Sequence, residues 1–346
     1  MEISDLKEPT IARDTVLSHL GALKAYLSER GETQAYAAVH KLVDDGLSGY
    51  PAGSRIPGAL VGKNLDLVSQ WLNEPNIGLK LSPGSTRLHP KIAFFFKKRE
   101  FALYDYCCLL QRYLSLMTEV LTIEIEEQGD KLILSCVPHP DIYVSPHQHE
   151  GFVTSLCDAI LDNFALKPSA ISFRHNLPKQ LPDAGIYQRI LGLMPDFGSG
   201  RTCVIFPLNE RRDNSVRSSA EASFRSLQEL EAAHLKSHPT ELWSERCLFL
   251  LELLLCYGEP TKNAVADLLA VTPRTLQRRL TDEETSFREL LNALRLKLAK
   301  KYLKQAEYSL EDITFLLGFK DVGVFYRSFK SWTDQTPGEY RAMVQG

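Results

Sequence analysis

The last 90 or so residues of the chain constrain its fold most, because they repeat one pattern of helix starts, tight turns and buried anchors. Apolar residues within 265–269 give one short helix a single apolar face. Thr272 followed by Pro273 is typical of an N-cap with proline at the first helical position, which starts a second helix. Leu276 and Leu280, four residues apart, would anchor that helix. The sequence therefore predicts two short helices joined by a tight turn.

The second of these helices carries long polar side chains opposite its anchors. Arg274, Gln277 and Arg278 fall on the outward face. A helix pair with a tight turn has the helix-turn-helix geometry, whose second helix enters the major groove of DNA. Arg and Gln side chains read guanine and adenine there through paired hydrogen bonds. Taken alone, this segment is equally compatible with a helical hairpin whose polar face is merely solvated.

A second helix pair of similar design follows. Ser309 opens it with an S-x-x-D sequence resembling a capping box, and Gly318 stands where a helix must end in a left-handed residue. Asp321 can cap the next helix, and Phe325 and Phe329 would be buried at i, i+4. Between the two pairs, apolar residues from Phe287 to Leu298 define one long helix, which would set the distance between the pairs.

These motifs, in this order and spacing, resemble AraC-type (AraC/XylS) transcription regulators. The similarity rests on Thr272–Leu280 with Ser286 and Phe287, on Leu317-Gly-Phe319 followed by Phe325, Arg327, Phe329 and Trp332, and on Thr336–Arg341. It covers about residues 243–341. The preceding region is similar to the so-called arabinose-binding N-terminal domain of one branch of that family. Ile77–Leu81, Leu109–Tyr113, Phe173–His175 and Phe197-Gly198 carry this second resemblance.

The resemblance implies an α+β effector and dimerisation domain followed by an all-α domain with two helix-turn-helix units joined by a long helix. We place the mixed α/β domain at residues 1–236 and the DNA-binding domain at residues 237–346. The implied function is sequence-specific DNA binding that regulates transcription, with activation favoured, in response to a small molecule that the sequence does not identify. The expected partners are promoter half-sites, RNA polymerase and a second copy of the chain.

Matched by position, three residues of the first unit and one of the second should contact bases: Arg274, Gln277, Arg278 and Arg327. We extend the DNA-binding set to Thr275, Lys320, Val322 and Lys330. Val322 and Gly323 stand where many relatives have polar residues, so we expect few base hydrogen bonds from the second unit. Val322 would touch a thymine methyl group, and the unit would otherwise hold phosphates.

Three positions depart from the family pattern, because Ala270, Glu284 and Asp334 stand where glycine is common. If these residues keep a positive φ, Glu284 costs about 1 kcal/mol and Asp334 less. For Arg295, a structural hydrogen bond or ion pair inside the domain is favoured over a DNA contact.

Ahead of the C-terminal region, strand-like and helical patterns alternate. Leu121–Glu126 and Lys131–Val137 read as a hairpin about Gly129, which indicates a mixed α/β region. A charged amphipathic stretch then carries an apolar stripe that includes Leu227 and Leu230. This stripe could close a domain or meet a second subunit, and we slightly favour the second subunit.

Composition narrows the class of protein. No apolar run approaches the ~20 residues that cross a bilayer, and the N-terminus lacks the pattern of a signal peptide, so a cytoplasmic protein without membrane contact is expected. Seven cysteines without C-x-x-C spacing fit reduced thiols better than a disulfide framework. Residues 261–346 carry a net charge of +3, which permits a nucleic-acid surface there without proving one.

Other function classes find less support. His139, His147 and His149 beside Glu150 could form a metal cluster, but a surface loop punctuated by prolines is the favoured interpretation. Walker A, G-x-S-x-G and dinucleotide-binding motifs do not occur, so neither an enzyme nor a cofactor is expected. A metal- or thiol-dependent enzyme stays a minor alternative. A helical protein-interaction module would instead predict an apolar outward face on residues 272–280.

Overall fold

The computed structural model describes residues 8–29, 31, 37, 49–80, 103–179, 183, 185–208, 220–255, 260–306 and 308–345. The chain divides into two compact units, Met1–Asp213 and Asn214–Gly346. The second unit therefore begins earlier than residue 237, where the sequence analysis places the second domain. No helix in the described residues is long and apolar enough to cross a membrane.

The first unit combines helices with two antiparallel sheets. Its elements are β1 (Thr10–Ala12), α1 (Arg13–Glu29), β2 (Arg55–Pro57), α2 (Gly58–Leu72), α3 (Ile77–Lys80), α4 (Leu103–Tyr113), β3 (Leu121–Gln128), β4 (Lys131–Pro138), α5 (Pro146–Phe164), β5 (Ala170–Ser172), α6 (Ile186–Leu191) and β6 (Thr202–Pro207). Strands β1 and β2 form a small ribbon, and the main sheet has the order β3-β4-β6-β5. An α+β architecture for this region agrees with the prediction.

The main sheet has an edge strand, β3, with alternating residues, and two inner strands, β4 and β6, that are mostly buried. In β3, apolar Leu121 and Ile123 are buried while the intervening positions face solvent. The predicted hairpin is present: Ile123 pairs with Cys136 in β4, and Gly129 in the turn has a φ of 60°. Strand β4 lies in the interior of the sheet, where Leu134 pairs with Val204 of β6 and both side chains are fully buried.

The histidine-rich segment is not the surface loop that the sequence analysis favours. Ser145 caps α5 by accepting a hydrogen bond from the His147 backbone N–H, so the helix begins at Pro146 and includes His147 and His149. Both histidines are buried, and Glu150 beside them is 1% exposed. Among the described residues, no group of three or more His, Cys, Asp or Glu is arranged to hold a metal ion.

The second unit is helical throughout its described part. Its elements are α7 (Ala220–Ser237), α8 (Trp243–Leu255), α9 (Lys262–Leu268), α10 (Pro273–Asp282), α11 (Phe287–Leu303), α12 (Leu310–Leu316), α13 (Val322–Thr333) and α14 (Pro337–Gln345). The core is built around α8 and α11, with Leu250, Leu251, Leu294 and Leu298 all buried. These helices position the two shorter helix pairs, α9 with α10 and α12 with α13.

The stripe on α7 is covered by the protein's own chain. Leu227 is 4% exposed and Leu230 is 1% exposed, and α7 packs against α9. The apolar pattern slightly favours a second subunit as the cover of this stripe, and that prediction is wrong because the neighbouring helices of the same chain cover it. The stripe of Leu227 and Leu230 packs inside the second unit, because burial of these apolar side chains away from water stabilises the fold.

Candidate nucleic-acid interface

The first helix pair begins and turns where the sequence predicts. The Thr272 side chain accepts a hydrogen bond from the Thr275 backbone N–H at 3.1 Å, and Pro273 occupies the first turn of α10. Leu276 and Leu280 are its buried residues, both fully covered. Helix α10 is thus anchored through Leu276 and Leu280, which leaves Arg274 and Arg278 exposed.

The outward face of α10 holds the four side chains predicted for the first unit. Arg274 and Arg278 are exposed, and neither guanidinium has an ion-pair partner among the described residues. Gln277 is half-buried, with its amide nitrogen 3.5 Å from the Thr281 hydroxyl. The Thr275 hydroxyl lies 2.9 Å from that of Thr272, so it takes part in the cap. The face is cationic and polar along its length.

The opposite side of α10 is fixed to α8 by contacts that the sequence analysis missed. The Glu283 carboxylate, just past α10, accepts hydrogen bonds from the backbone N–H groups of Trp243 at 2.7 Å and Ser244 at 2.8 Å. Arg279 lies over the Trp243 ring at 5.5 Å. Desolvation opposes the effect, but the hydrogen bonds from Ser244 and Trp243 lower the pKa of Glu283 below its ordinary value. No sequence pattern could have indicated this contact, because Glu283 lies 40 residues after Trp243 at the start of α8.

The second helix pair also agrees with its predicted caps and anchors. Ser309 and Asp312 form the reciprocal capping box of α12, and Gly318 ends the following turn with a φ of 63°. Asp321 caps α13 by accepting from the Val324 backbone N–H at 2.8 Å. Phe325 and Phe329 are fully buried. The two pairs therefore share one design of cap, turn and i, i+4 anchors.

The outward face of α13 is sparser than that of α10. Arg327 is exposed and Val322 is half-buried, while the flanking Lys320 and Lys330 are exposed. A Cβ on Gly323 would lie 3.4 Å from the Arg327 guanidinium nitrogen Nη1. The Arg327 side chain therefore lies close to a bare stretch of helix backbone.

The structure gives a positive φ to all three residues that replace a common glycine. The values are 54° at Ala270, 57° at Glu284 and 60° at Asp334. Ala270 lies in the turn between α9 and α10, and Asp334 ends α13. A left-handed backbone at Ala or Glu costs on the order of 1 kcal/mol, so the chain keeps the turn geometry at the expense of local strain.

Arg295 makes the structural hydrogen bonds that the sequence analysis favours. Its side chain is buried on α11, where Nε donates to the Leu317 carbonyl at 2.9 Å and Nη2 donates to the Gly318 carbonyl at 3.0 Å. The guanidinium also lies 4.2 Å from the centre of the Phe319 ring. Arg295 thus holds the turn between α12 and α13 and is not available to DNA.

Helix α7 is attached to the first helix pair by polar contacts as well as by its stripe. The Gln228 side chain donates to the Asp267 backbone carbonyl at 2.7 Å, at the end of α9. Glu231 and Arg246 of α8 form an ion pair at 3.6 Å with both side chains 1% exposed. Removal of either partner would leave a buried charge uncompensated. Helix α7 therefore belongs physically to the unit that carries both helix pairs.

Comparison with known proteins agrees with this geometry. Residues 265–343 match a family model described as a helix-turn-helix domain. The HTH-type transcriptional regulator VirS of Mycobacterium tuberculosis is 32% identical over 204 residues, and the match spans 57% of this chain and 58% of VirS. An uncharacterized HTH-type transcriptional regulator of the same organism is 26% identical over 309 residues, covering 84% of this chain and 87% of that protein.

A third relative is similar over the C-terminal part alone. The urease operon transcriptional activator of Escherichia coli is 39% identical over 87 residues, which is 24% of this chain and 29% of that protein. None of these three relatives is named as an enzyme. With the caps, turns and anchors of both helix pairs in place, these matches show that the C-terminal part of the chain is a helix-turn-helix domain similar to those of HTH-type transcriptional regulators.

Proposed function

We propose that the protein is a sequence-specific DNA-binding transcription regulator that reads the major groove chiefly with α10. The observation that carries the proposal is the outward face of this helix. Arg274 and Arg278 stand exposed without acidic partners among the described residues, on a helix whose buried anchors are Leu276 and Leu280. Unneutralised cations on a narrow helix suit a polyanionic groove, whereas a protein-docking face would be more apolar.

The two helix pairs act as two helix-turn-helix units joined by a long helix in this proposal. Helix α11 has 17 residues, so it is about 25 Å long at 1.5 Å per residue. Two successive major-groove segments on one face of DNA lie about 34 Å apart. A spacer of this size, extended by the turns at its two ends, suits two readers placed one helical turn of DNA apart.

The division of roles follows from the side chains. The guanidinium groups of Arg274 and Arg278 can donate paired hydrogen bonds to guanine. The Gln277 amide can pair with adenine once it leaves Thr281. Thr275 sits in the first turn of α10, where a hydroxyl and the helix N-terminus can contact a phosphate. In the second unit Arg327 reads a base, Val322 packs on a thymine methyl group, and Lys320 and Lys330 hold phosphates.

The remaining parts of the proposal concern regulation. Residues up to about 213 form a separate compact unit, which suits effector sensing and homodimerisation. An effector can shift DNA affinity only by binding two arrangements of the protein with different affinities. The relative from Escherichia coli is named a transcriptional activator, which supports activation, and an activator would contact RNA polymerase.

The test starts from a duplex selected by the wild-type protein out of a randomised pool. Gel-shift titrations with this duplex at two salt concentrations should show binding that weakens steeply as salt rises, because phosphate contacts release counterions. Arg278→Ala should cost about 1 to 3 kcal/mol at one base position and relax specificity there. Equal losses on every sequence would contradict a base-reading role for Arg278.

Arg279→Ala is the matched control for that variant. Arg279 lies one residue further on the same helix, but its guanidinium faces the Trp243 ring. The control removes the same charge without removing a reading side chain, so it should lower affinity on all duplexes alike. A protein that selects no duplex and whose binding ignores salt would overturn the proposed function.

A further inference from the structure

The turn before α10 carries strain that the turn before α13 does not. Both turns are closed by the same two backbone hydrogen bonds around a left-handed residue. In the first turn, the Val271 backbone N–H donates to the Ala266 carbonyl at 2.9 Å. The Ala270 N–H donates to the Asp267 carbonyl at 3.0 Å. The left-handed residue is Ala270 in this turn and Gly318 in the second turn, so the first turn is the strained one.

A side chain from outside the helix pair supports the strained turn. The Asp267 carbonyl that accepts from Ala270 also accepts a hydrogen bond from the side-chain nitrogen Nε2 of Gln228 on α7, at 2.7 Å. The net contribution of one hydrogen bond to stability is of the same order as the cost of a left-handed alanine. The bond from Gln228 can therefore decide how firmly this turn keeps its conformation.

Helix α7 holds the Gln228 amide on a rigid support. Leu227 and Leu230, on either side of Gln228 in the chain, are 4% and 1% exposed. Glu231 forms an ion pair with Arg246 of α8 at 3.6 Å, with both side chains 1% exposed. These contacts fix the part of α7 that carries Gln228 to the rest of the second unit. A donor on a fixed helix restrains its acceptor in a way that a water molecule at the surface does not.

The turn at Ala270 sets the direction of α10. Pro273 begins α10 shortly after Ala270, and Arg274 follows as the first of the proposed reading side chains. Helix α10 has 10 residues, so it is about 15 Å long, and a tilt of roughly 10° at its start moves its far end by roughly 3 Å. Paired hydrogen bonds to a base tolerate much smaller displacements, whereas flexible side chains that contact phosphates can follow the helix. A loosened turn should therefore weaken base selectivity more than overall DNA affinity.

We propose that Gln228 is a positioning residue for base reading, which acts by holding the turn at Ala270 and with it the orientation of α10. The inference rests on the proposed function, because it takes α10 as the reader of bases. The turn before α13 has a different support, since Arg295 of α11 donates to the Leu317 and Gly318 carbonyls there. Loss of the Gln228 amide should therefore affect the base positions read by α10 and not those read by α13.

Gel-shift titrations of the full chain on the selected duplex and its single-base variants test the positioning role. The base positions read by α10 are those at which Arg274→Ala or Arg278→Ala relaxes the preference. At these positions Gln228→Met, which keeps the length of the side chain but cannot donate, should lower selectivity about three- to tenfold, as expected for the loss of one hydrogen bond. Selectivity at all other positions, and affinity for an unrelated duplex, should change less than about twofold. Unchanged selectivity at the α10 positions overturns the proposal.

Gln345→Met is the matched control for Gln228→Met. The Gln345 side-chain nitrogen Nε2 donates at 3.1 Å to the carbonyl of Leu303, the residue at which α11 ends. The control removes the same kind of hydrogen bond from the same unit, outside both turns, so selectivity should stay within about twofold of the wild type at every base position. Equal losses of selectivity in the two variants would show a general loosening of the unit and would overturn a positioning role for Gln228.

A second substitution separates support of the turn from any other role of Gln228. Adding Ala270→Gly to Gln228→Met should restore selectivity to within about twofold of the wild type, because glycine adopts a left-handed backbone without help from a neighbouring side chain. A glutamine that served only to pack α7 onto the unit would not be rescued by a change at residue 270. Failure of this rescue overturns the proposal.

Amide hydrogen exchange of the free protein, followed by NMR, keeps this inference apart from the proposed function because it needs no DNA. In Gln228→Met the Ala270 amide should exchange at least about threefold faster than in the wild type, while the Gly318 amide keeps its rate. Faster exchange at Ala270 in a protein that selects no duplex overturns the proposed function and leaves Gln228 as the support of the turn. Unchanged exchange at Ala270 in a protein that does select its duplex overturns the inference.

Discussion

The two helix pairs share a design but differ in what they present and in how they are held. Helix α10 shows two exposed arginines and a glutamine, whereas α13 shows a single arginine beside Val322 and Gly323. The turn before α10 has Ala270 at its left-handed position, and the turn before α13 has Gly318. In the proposed function, one anchoring scheme thus carries a surface that reads bases and a second surface that mainly contacts the DNA backbone.

The supports of the two pairs differ as well. The second turn is held from within by the buried Arg295, which bonds two carbonyls of that turn. The end of α10 is held at the periphery by Glu283, whose carboxylate accepts from the backbone of α8. We infer that the second pair is rigidly built into the unit, while the first pair depends on a contact that solvent can reach.

The largest effect is expected at Arg295. Arg295→Ala removes two charge-assisted hydrogen bonds and the contact with Phe319, and it leaves the Leu317 and Gly318 carbonyls without a partner. The free energy of unfolding should fall by about 3 kcal/mol, because buried hydrogen bonds to charged groups contribute about 1.5 to 3 kcal/mol each. Urea denaturation followed by circular dichroism measures the loss.

Arg288→Ala serves as the control for that measurement. Arg288 lies on the same helix α11 but is exposed, so its removal should change stability by less than about 0.5 kcal/mol. Equal losses for the two variants would show that Arg295 does not hold the second turn more firmly than a surface residue does.

The second prediction concerns the phosphate contacts assigned to the second unit. The double variant Lys320→Ala with Lys330→Ala should reduce the slope of log affinity against log salt by about 2, and by similar amounts on all duplexes. Arg278→Ala in the first unit should instead change the preferred sequence. Gel shifts over a salt series distinguish the two patterns. A change of preferred base in the lysine variant would reverse the roles of the two units.

The third prediction exchanges the turn residues of the two pairs. Ala270→Gly should stabilise the protein by about 0.5 to 1 kcal/mol, because glycine adopts a φ of 54° without a Cβ penalty. Gly318→Ala should destabilise it by about 1 kcal/mol for the same reason in reverse. Urea midpoints at constant slope report both changes.

A helical site supplies the control for these exchanges. Ala264→Gly in α9, where the backbone is helical, should cost about 1 kcal/mol. A stabilising Ala264→Gly, or an Ala270→Gly that destabilises the protein equally, would show that strain in the turn is not what distinguishes the two pairs.

The parts of this fold that depend on neighbouring residues in the chain could be predicted from the sequence. The caps at Thr272, Ser309 and Asp321 and the anchors at i, i+4 involve residues within four positions of each other, so their spacing alone indicates them. The β3–β4 hairpin is equally local. Alternation in β3 and the turn at Gly129 indicate the hairpin.

Contacts between distant residues were beyond sequence reasoning. An apolar stripe such as that of Leu227 and Leu230 is the same whether its cover is a second subunit or the next helix, and only the tertiary structure shows the latter. The histidine-rich segment misled for a related reason, since its prolines suggest a loop while Pro146 in fact starts α5. Two partners of Glu150, His175 and Tyr187, lie far from it along the chain, and no spacing links them to it.

The smallest expected effect tests whether the support of the first pair is the more sensitive to solution conditions. The pKa of Glu283 is lowered from 4.5, so its carboxylate contributes stability above about pH 4.5, and this contribution is lost as pH falls through the lowered pKa. Glu283→Gln should therefore be slightly less stable than the wild type near pH 6, and the difference should disappear in acid. Thermal unfolding of both proteins over this pH range measures it. The difference in stability between the wild type and Arg295→Ala should not follow the same acid transition, because an arginine side chain is not deprotonated in proteins. Parallel pH curves for the two variants would mean that the two pairs are held alike.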